Sequence, residues 1–165
     1  MSYTDGLTLP KFLELMNADL QNEWTHLQFY LYHASAITGL HAEEYKEFFT
    51  DAAKGEMQHV QQFLDRLFGL HFNLPNASGN QFPLCTDVEN ALVQAMRLEE
   101  EVVKNYATRL TQLDALAAVY PVESAYLKIF YEDQLQDSYE DCEHIRRILA
   151  DTLTHRYRAA DMKAP

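Results

Sequence analysis

The sequence is poor in several residue types, and each shortage excludes a class of protein. Its two cysteines, Cys85 and Cys142, are too few for the disulfide framework of a small secreted domain. Five glycines and five prolines are few for a β-rich or disordered chain of 165 residues. No apolar run approaches the roughly 20 residues of a membrane span. Because residues 1–5 also lack the features of a signal peptide, we expect a cytoplasmic protein with no membrane partner.

Basic residues are scarce as well. The chain has 13 Lys and Arg against 25 Asp and Glu, which gives a formal net charge of -12. Since affinity for phosphate needs clustered basic side chains, we expect no nucleic-acid binding through a basic patch. An acidic surface does suit the attraction of cations. Hydrophobic residues make up 47% of the chain, enough for one sizeable core in a single domain over residues 1–165.

Apolar residues recur with helical periodicity in four long segments. The predicted helices cover residues 9–38, 42–68, 86–117 and 121–153. Thr8 and Pro10 are start signals for the first helix, and Gly39 is a stop signal. Thr86 and Glu89 have the spacing of a capping box at the start of the third helix. The pattern predicts an all-α fold.

The joints between these helices predict how they pack. Helices one and two, and helices three and four, are joined by only a few residues, which makes each pair antiparallel. Residues 69–85, between helices two and three, are rich in Asn, Pro and Gly. A helix of about 28 residues is roughly 42 Å long, and about 17 extended residues at roughly 3.3 Å each can cover that length. We therefore predict an antiparallel four-helix bundle with a long crossover between helices two and three.

Glutamates interrupt the apolar stripes of the first three helices. Glu23, Glu56 and Glu99 each lie three or four residues from apolar neighbours on both sides. A buried unpaired carboxylate costs several kcal/mol or takes up a proton. One such acid alone is more often a partly solvated edge residue. Three acids at matched depth need a compensating cation, and a divalent metal is the simplest one.

Histidines strengthen the prediction of a metal site. Glu56 and His59 form a Glu-x-x-His motif, whose spacing places both side chains on one side of a helix. The fourth helix carries Asp141 and His144 at the same spacing. If the second hairpin turns near residue 119, Asp141 falls close to the level of Glu99. The pattern therefore predicts that Asp141 and His144 complete the ligand set.

These residues resemble the ferritin superfamily, and within it the bacterioferritin family most closely. The similar segments are residues 17–23, 29–33, 56–59, 63–67, 74–75, 98–99, 104–105 and 144–145. The resemblance implies a ferritin-like bundle whose metal ligands are Glu23, Glu56, His59, Glu99 and His144, with Asp141 in place of the family's second bridging glutamate. Tyr30 matches a tyrosine beside the site, and we assign it a catalytic role.

The resemblance also implies an activity and partners. It implies a ferroxidase that oxidises Fe2+ with dioxygen or peroxide at two iron ions, with or without iron storage, and manganese is the alternative metal. It also implies a homo-oligomer, either a dimer or a larger assembly. Met57 occupies the position of the family's haem-binding methionine, but we expect it to serve packing or subunit contact, so haem is not expected.

One histidine departs from the family pattern. Glu23 and His26 form a second intact Glu-x-x-His motif, and bacterioferritin has no ligand at this position. His26 has two interpretations: a metal ligand, or a core histidine that bonds to Tyr106 or to a carboxylate. Two other functions stay open for the whole chain. One is a di-iron or di-manganese oxidoreductase acting on an organic substrate or peroxide, and the other is a structural bundle whose metal, if any, serves only stability.

Overall fold

Four long helices form most of the protein. The computed structural model describes residues 6–161, with side chains described as far as residue 151. The helices are α1 (Leu9–Ala36), α2 (Ala42–Gly69), α3 (Val88–Leu116) and α4 (Pro121–Asp161). No strand occurs within these described residues, which confirms the all-α prediction. None of the helices in this part of the chain is both long and apolar enough to cross a bilayer.

The ends of α1 show where local signals hold and where tertiary contacts take over. The side chain of Thr8 accepts a hydrogen bond from the backbone N–H of Lys11 at 3.5 Å, as expected of an N-cap. The helix ends at Ala36 instead of near residue 38. The reason is that the N–H of Thr38 donates to the carbonyl oxygen of Thr86 at 3.2 Å and so leaves the helix.

The other boundaries differ from the predictions at two points. Asp87, not Thr86, caps α3, because its carboxylate accepts a hydrogen bond from the N–H of Asn90 at 2.9 Å. The fourth helix continues to Asp161 instead of ending near residue 153. After Pro121 its sequence contains no further proline or glycine that would end it.

The helices pack as two antiparallel hairpins. Helix α1 packs mainly along α2, and α3 packs mainly along α4, while a smaller contact joins α1 to α3. The turn between α1 and α2 places Gly39 (φ 108°) and His41 (φ 71°) in the left-handed region. Glycine adopts that conformation without steric cost, so Gly39 allows the tight reversal that brings α2 back along α1.

A long crossover, residues 70–87, joins the two hairpins and runs along α1 in the same direction. Near its start, the N–H of Asn76 donates to the side-chain oxygen of Asn17 at 2.7 Å. Near its end, the N–H of Cys85 donates to Nε2 of His33 at 3.0 Å. Since Asn17 lies in the first half of α1 and His33 in its last turn, the crossover returns the chain along most of the bundle. This confirms the predicted crossover.

The middle of the crossover lies directly against α1. A Cβ atom on Gly79 would lie 2.4 Å from the backbone nitrogen of Thr25, so only glycine allows this approach. The next N–H, of Asn80, donates to the hydroxyl of Thr25 at 2.8 Å, and the indole of Trp24 donates to the carbonyl of Asn76 at 2.9 Å. These contacts fix the rotation of α1 about its axis at the level of Glu23.

Two apolar clusters fill the bundle, one toward each end. The first includes Phe12, Met16, Leu20, Val60, Phe63, Val102, Tyr106 and Tyr131. The second includes Phe29, Tyr30, Phe49, Ala53, Ala91, Ala95 and Ile145. On α1, α2 and α3, the predicted metal ligands lie between the residues of these two clusters. The bundle therefore holds a polar layer at mid-length, closed above and below by apolar side chains.

Candidate metal centre

The first helix directs three polar side chains into this layer. Glu23, His26 and Tyr30 are spaced three and four residues apart, so they share one face of α1. Each has 2% or less of its surface exposed. They face the core because the crossover holds the opposite face of the helix at this level, through Trp24 and Thr25.

Helices α2 and α3 bring the remaining ligands to the same level. On α2, Nδ1 of His59 lies 3.2 Å from a carboxylate oxygen of Glu56 and 3.2 Å from one of Glu23. From α3, Glu99 reaches across the core with 1% of its surface exposed. Nδ1 of His26 lies 3.5 Å from Oε1 of Glu99 and 3.6 Å from Oε1 of Glu56.

The five side chains form two overlapping groups of potential metal ligands. Glu23, Glu56 and His59 make up one group, and His26, Glu56 and Glu99 make up the other. Within each group, one ligand atom from every residue lies within 4.8 Å of the others. Glu56 belongs to both groups, and a carboxylate has two oxygens. The arrangement therefore suits two metal positions bridged by Glu56.

The histidines balance part of the carboxylate charge. Burial by itself lowers the pKa of His59, but hydrogen bonds and charges from Glu23 and Glu56 raise it overall to about 11. Burial likewise opposes charge on His26, yet Glu99 and Glu56 hold the pKa of His26 well above its usual range. Burial, followed by the charge of Glu56, raises the pKa of Glu23. Without metal, the centre therefore holds protons on both imidazoles at neutral pH.

The residues fit a pair of divalent ions. Among the described ion pairs, no Lys or Arg contacts Glu23, Glu56 or Glu99. Oε2 of Glu23 is buried and accepts no hydrogen bond from the residues that the structure describes, although Nδ1 of His59 lies 3.2 Å away. Buried polar atoms in this state call for an explanation, and a bound ion is one. Carboxylate and imidazole donors suit iron and manganese.

Two tyrosines hold the carboxylates in place. The hydroxyl of Tyr30 donates to Oε1 of Glu99 at 2.7 Å. The hydroxyl of Tyr106 donates to Oε1 of Glu23. Both phenols are buried. In Glu23 the tyrosine holds Oε1 and leaves Oε2 to face His59, whereas in Glu99 the oxygen that Tyr30 holds is also the one nearest His26.

A second buried acid, Asp19, lies one helical turn before Glu23 and has its own cation. Arg109 donates to both oxygens of Asp19, from Nε at 2.8 Å and from an Nη atom at 3.0 Å. The hydroxyl of Tyr131 adds a third hydrogen bond at 2.7 Å. The sequence pattern did not lead us to predict this network. A signal was present, because Asp19 lies four residues before Glu23 on the same stripe and Arg109 lies three residues after Tyr106.

His26 contacts carboxylates and not Tyr106. Its Nδ1 atom lies between Glu56 and Glu99, whereas Tyr106 donates to Glu23. The interpretation of a core histidine bonded to a carboxylate agrees with this placement, but bonding to Tyr106 does not. The same placement makes His26 a member of the second ligand group.

The structure does not bring Asp141 and His144 into either group. Both are exposed on α4, beside the buried Cys142 and Ile145. They line a cavity of about 750 Å³ between α2 and α4 that reaches Tyr30. The ring of His144 meets Phe48 edge-on at 5.5 Å. Their role as ligands stays a prediction, and it would require both side chains to turn inward.

Helix α4 places two carboxyl groups, those of Asp141 and Asp137, at the edge of the metal centre. Asp141 as a whole is exposed, but its carboxyl group lies at the wall of the cavity between α2 and α4. Partial loss of solvent there, followed by the charges of Glu99 and Glu56, raises the pKa of Asp141 to about 7. Asp137, which is not among the predicted site residues, lies 3.6 Å from Nε2 of His59. It precedes Asp141 by one helical turn and so lies on the same side of α4, which is the signal that could have identified it.

Comparisons with known proteins agree with the observed fold. A family model described as a ferritin-like domain matches residues 13–118. A crystal structure of ferritin-like, diiron-carboxylate proteins from Bacillus anthracis str. Ames is similar, with a TM-score of 0.75 and 24% sequence identity. The alignment covers 90% of this chain and 99% of that chain. No curated protein matches the sequence.

Proposed function

The chain belongs to the family of ferritin-like domains, and we propose that it is a ferroxidase that oxidises Fe2+ with dioxygen or peroxide. The observation that carries the proposal is that both ligand groups share Glu56. A shared carboxylate holds two ions close enough to act on one oxidant molecule. Each Fe2+ gives one electron, so the pair reduces dioxygen with two protons to hydrogen peroxide, or reduces peroxide with two protons to water.

Each side chain has a defined task in this proposal. Glu23 and His59 hold one Fe2+, and His26 and Glu99 hold the other. Carboxylates suit both Fe2+ and the harder Fe3+, so they retain the ions through oxidation. Tyr30 fixes Glu99 through its hydrogen bond of 2.7 Å, and this is the catalytic role that we propose for it.

The test compares two neighbouring glutamates on α3. Glu99 is buried in the centre, whereas Glu100 is exposed and lies 4.0 Å from Arg146. When Fe2+ is added to the native protein in air, we expect it to be oxidised at a rate well above the uncatalysed rate. Stopped-flow absorbance measures this rate. Glu99→Gln should abolish this excess rate, and Glu100→Gln should keep it. Equal rates for both variants, or a native rate at background, would contradict the proposal.

We also propose that the protein assembles as a homo-oligomer. Large apolar side chains are exposed on several helices, including Leu31 (61%) on α1, Met57 (57%) on α2 and Ile129 (63%) on α4. Exposure of this kind suits subunit contacts. Light scattering measures the particle size. A hollow cage supports iron storage or detoxification, and a dimer without storage supports the second candidate function below.

The second candidate is a di-iron or di-manganese oxidoreductase that acts on an organic substrate or peroxide. The cavity between α2 and α4 favours it, because its volume of about 750 Å³ suits a small organic molecule and it reaches Tyr30. Metal analysis of the purified protein identifies the resident ion. Oxidation that continues beyond the two Fe2+ ions of the centre supports the ferroxidase, and oxidation that stops there supports this alternative.

A further inference from the structure

A groove between α2 and α4 lies beside the metal centre, toward the opposite end of the bundle from the larger cavity. Its volume of about 340 Å³ falls within the roughly 300–1,000 Å³ that is typical of small-molecule sites. Asp137 marks the end nearest the centre, because it lies 3.6 Å from Nε2 of His59. The lining residues are Gln62 and Arg66 on α2 and Phe130, Asp133, Gln134, Gln136 and Asp137 on α4. The groove therefore reaches the edge of the metal centre but includes none of its ligands.

Arg66 places a positive charge at the far end of this groove. Its guanidinium lies over the rings of Tyr126 and Phe130, with 5.2 and 5.3 Å from Cζ to the ring centroids. Nε of Arg66 is buried and donates no hydrogen bond within the described part of the chain. None of the ion pairs found among the described residues involves Arg66. An arginine that is held by stacking and has no acidic partner is suited to bind a carboxylate.

Gln134 supplies a hydrogen-bond acceptor in the wall of the groove. Its side chain is buried, with 2% of its surface exposed, and its Nε2 atom donates to Oε1 of Gln62 at 2.6 Å. That hydrogen bond fixes the orientation of the amide. Oε1 of Gln134 is buried and accepts no hydrogen bond from any residue that the structure describes. Because a buried acceptor without a partner is costly, a ligand that donates a hydrogen bond to it is favoured.

Two carboxylates lie next to this acceptor. Asp133 directly precedes Gln134, and Asp137 follows it by three residues, so all three share one stretch of α4. Both aspartates line the groove. The positive charge of Arg66 lies instead beside Phe130, one helical turn before Gln134. The groove is therefore complementary to a molecule with an anionic end and a cationic end, separated by a short apolar chain.

We propose that the groove binds a small amino carboxylate whose ammonium and carboxylate groups are separated by a short methylene chain. The carboxylate accepts hydrogen bonds from the guanidinium of Arg66. The ammonium group donates to Oε1 of Gln134 and lies beside Asp133 and Asp137. A plain carboxylate leaves the acceptor unsatisfied and is repelled by the aspartates, and a plain amine is repelled by Arg66. This binding does not depend on the ferroxidase function.

The experiment is isothermal titration of the full chain, as purified, with three molecules of similar length. γ-Aminobutyrate carries both charged groups, butyrate carries only the carboxylate, and butylammonium carries only the cation. We expect γ-aminobutyrate to bind at least about tenfold more tightly than either of the others, because only it makes hydrogen bonds at both ends of the groove.

Substitutions assign the two ends of the ligand. Arg66→Gln should weaken binding of γ-aminobutyrate by at least about tenfold, because the charge-assisted hydrogen bonds are lost. Arg97→Gln is the control, since Arg97 is exposed on α3 and lies outside the groove, and it should leave binding unchanged. Gln134→Leu removes the acceptor and should reduce the affinity for γ-aminobutyrate to that for butyrate. Circular dichroism checks that each variant folds.

Three results would overturn the proposal. Equal affinity for γ-aminobutyrate and butyrate would show that Arg66 binds anions without selecting an ammonium group. Tightest binding of butylammonium would show that the aspartates dominate the groove. Absence of binding of γ-aminobutyrate, or binding that is unchanged in Arg66→Gln, would show that Arg66 serves only to pack against the two rings. The ferroxidase proposal is unaffected by all three results, because it is tested by the rate of Fe2+ oxidation.

Discussion

The bundle contains two sets of buried carboxylates that are compensated in different ways. Asp19 receives three hydrogen bonds, two from the permanently charged Arg109 and one from Tyr131. The glutamates of the metal centre have histidines as their described cationic partners. An arginine cannot give up its charge, whereas a histidine can lose its proton to make room for a metal ion. The difference separates a structural ion pair from a site with an exchangeable cation.

The largest effect that we expect comes from removing the carboxylate shared by the two ligand groups. Glu56→Ala takes one donor from each metal position, so binding of both ions should be lost. Isothermal titration with Co2+ or with anaerobic Fe2+ measures the stoichiometry. The matched control is Asp51→Ala on the same helix, which removes a carboxylate that is 62% exposed. Retention of two tightly bound ions in Glu56→Ala would show that Glu56 does not bridge them.

The next largest effect is on stability, and it comes from the other carboxylate set. Asp19→Leu takes the carboxylate away from Arg109, whose side chain is 11% exposed, and breaking a buried pair costs up to about 3–5 kcal/mol. Chemical denaturation measures the free energy of unfolding. Asp114→Ala, which breaks an exposed pair with Lys128, should cost only about 0–1 kcal/mol. If both variants lose a similar free energy of unfolding, the hydrogen bonds of Asp19 do not stabilise the fold more than an exposed ion pair does.

The third prediction concerns pH and the exchangeable protons. The pKa of His59 is raised to about 11, so the folded metal-free protein holds a proton that the unfolded chain releases above about pH 6.5. Its contribution to stability is therefore complete below about pH 6.5 and is lost as the pH rises toward 11. Metal must displace this proton, so affinity should increase with pH over the same range.

Proton release on metal binding tests that prediction directly. We expect about one to two protons to leave for each pair of ions, because imidazole ligands must be deprotonated. Titration of Co2+ in buffers of different ionisation enthalpy measures the number. His59→Gln should release fewer protons than the native protein. Metal binding that is independent of pH between 6 and 8 would show that the histidines are already neutral.

The smallest effect is expected on α4. Removing only the group that orients a metal ligand commonly costs about 10–100-fold in affinity, so His59→Ala, which removes a ligand, should cost at least that much. His144→Ala should leave the affinity unchanged, because His144 packs against Phe48 at the surface. A comparable loss in both variants would mean that α4 turns His144 inward when metal binds.

The sequence predicts the fold well because each helix carries its own signals. The start of α1 at Leu9 and the start of α4 at Pro121 agree with the predicted positions. The predicted helix ends are wrong where a contact distant in the sequence sets the boundary, as at Thr38, whose N–H donates to the carbonyl oxygen of Thr86. No local pattern near the end of α1 reveals that partner.

The site is only partly predictable, for a related reason. Glu23, Glu56 and Glu99 stand at the centre of apolar stripes, so periodicity alone places them in the core. On α4 the buried stripe instead runs through Gln134, Ser138 and Cys142, with Asp141 beside it. Motif spacing indicates the level of a residue along a helix. It does not fix the rotation of α4 about its axis, which depends on its packing against α3.

The fit of the crossover against α1 has a practical consequence for protein engineering. Although residues 70–87 have no regular secondary structure over most of their length, an insertion or a cut near Gly79 would disturb the helix that carries three side chains of the centre. The turn between α3 and α4, around exposed Val119, is the better place for new chain ends or a displayed peptide. The crossover, although irregular, should therefore tolerate insertions less well than the short exposed turn between α3 and α4.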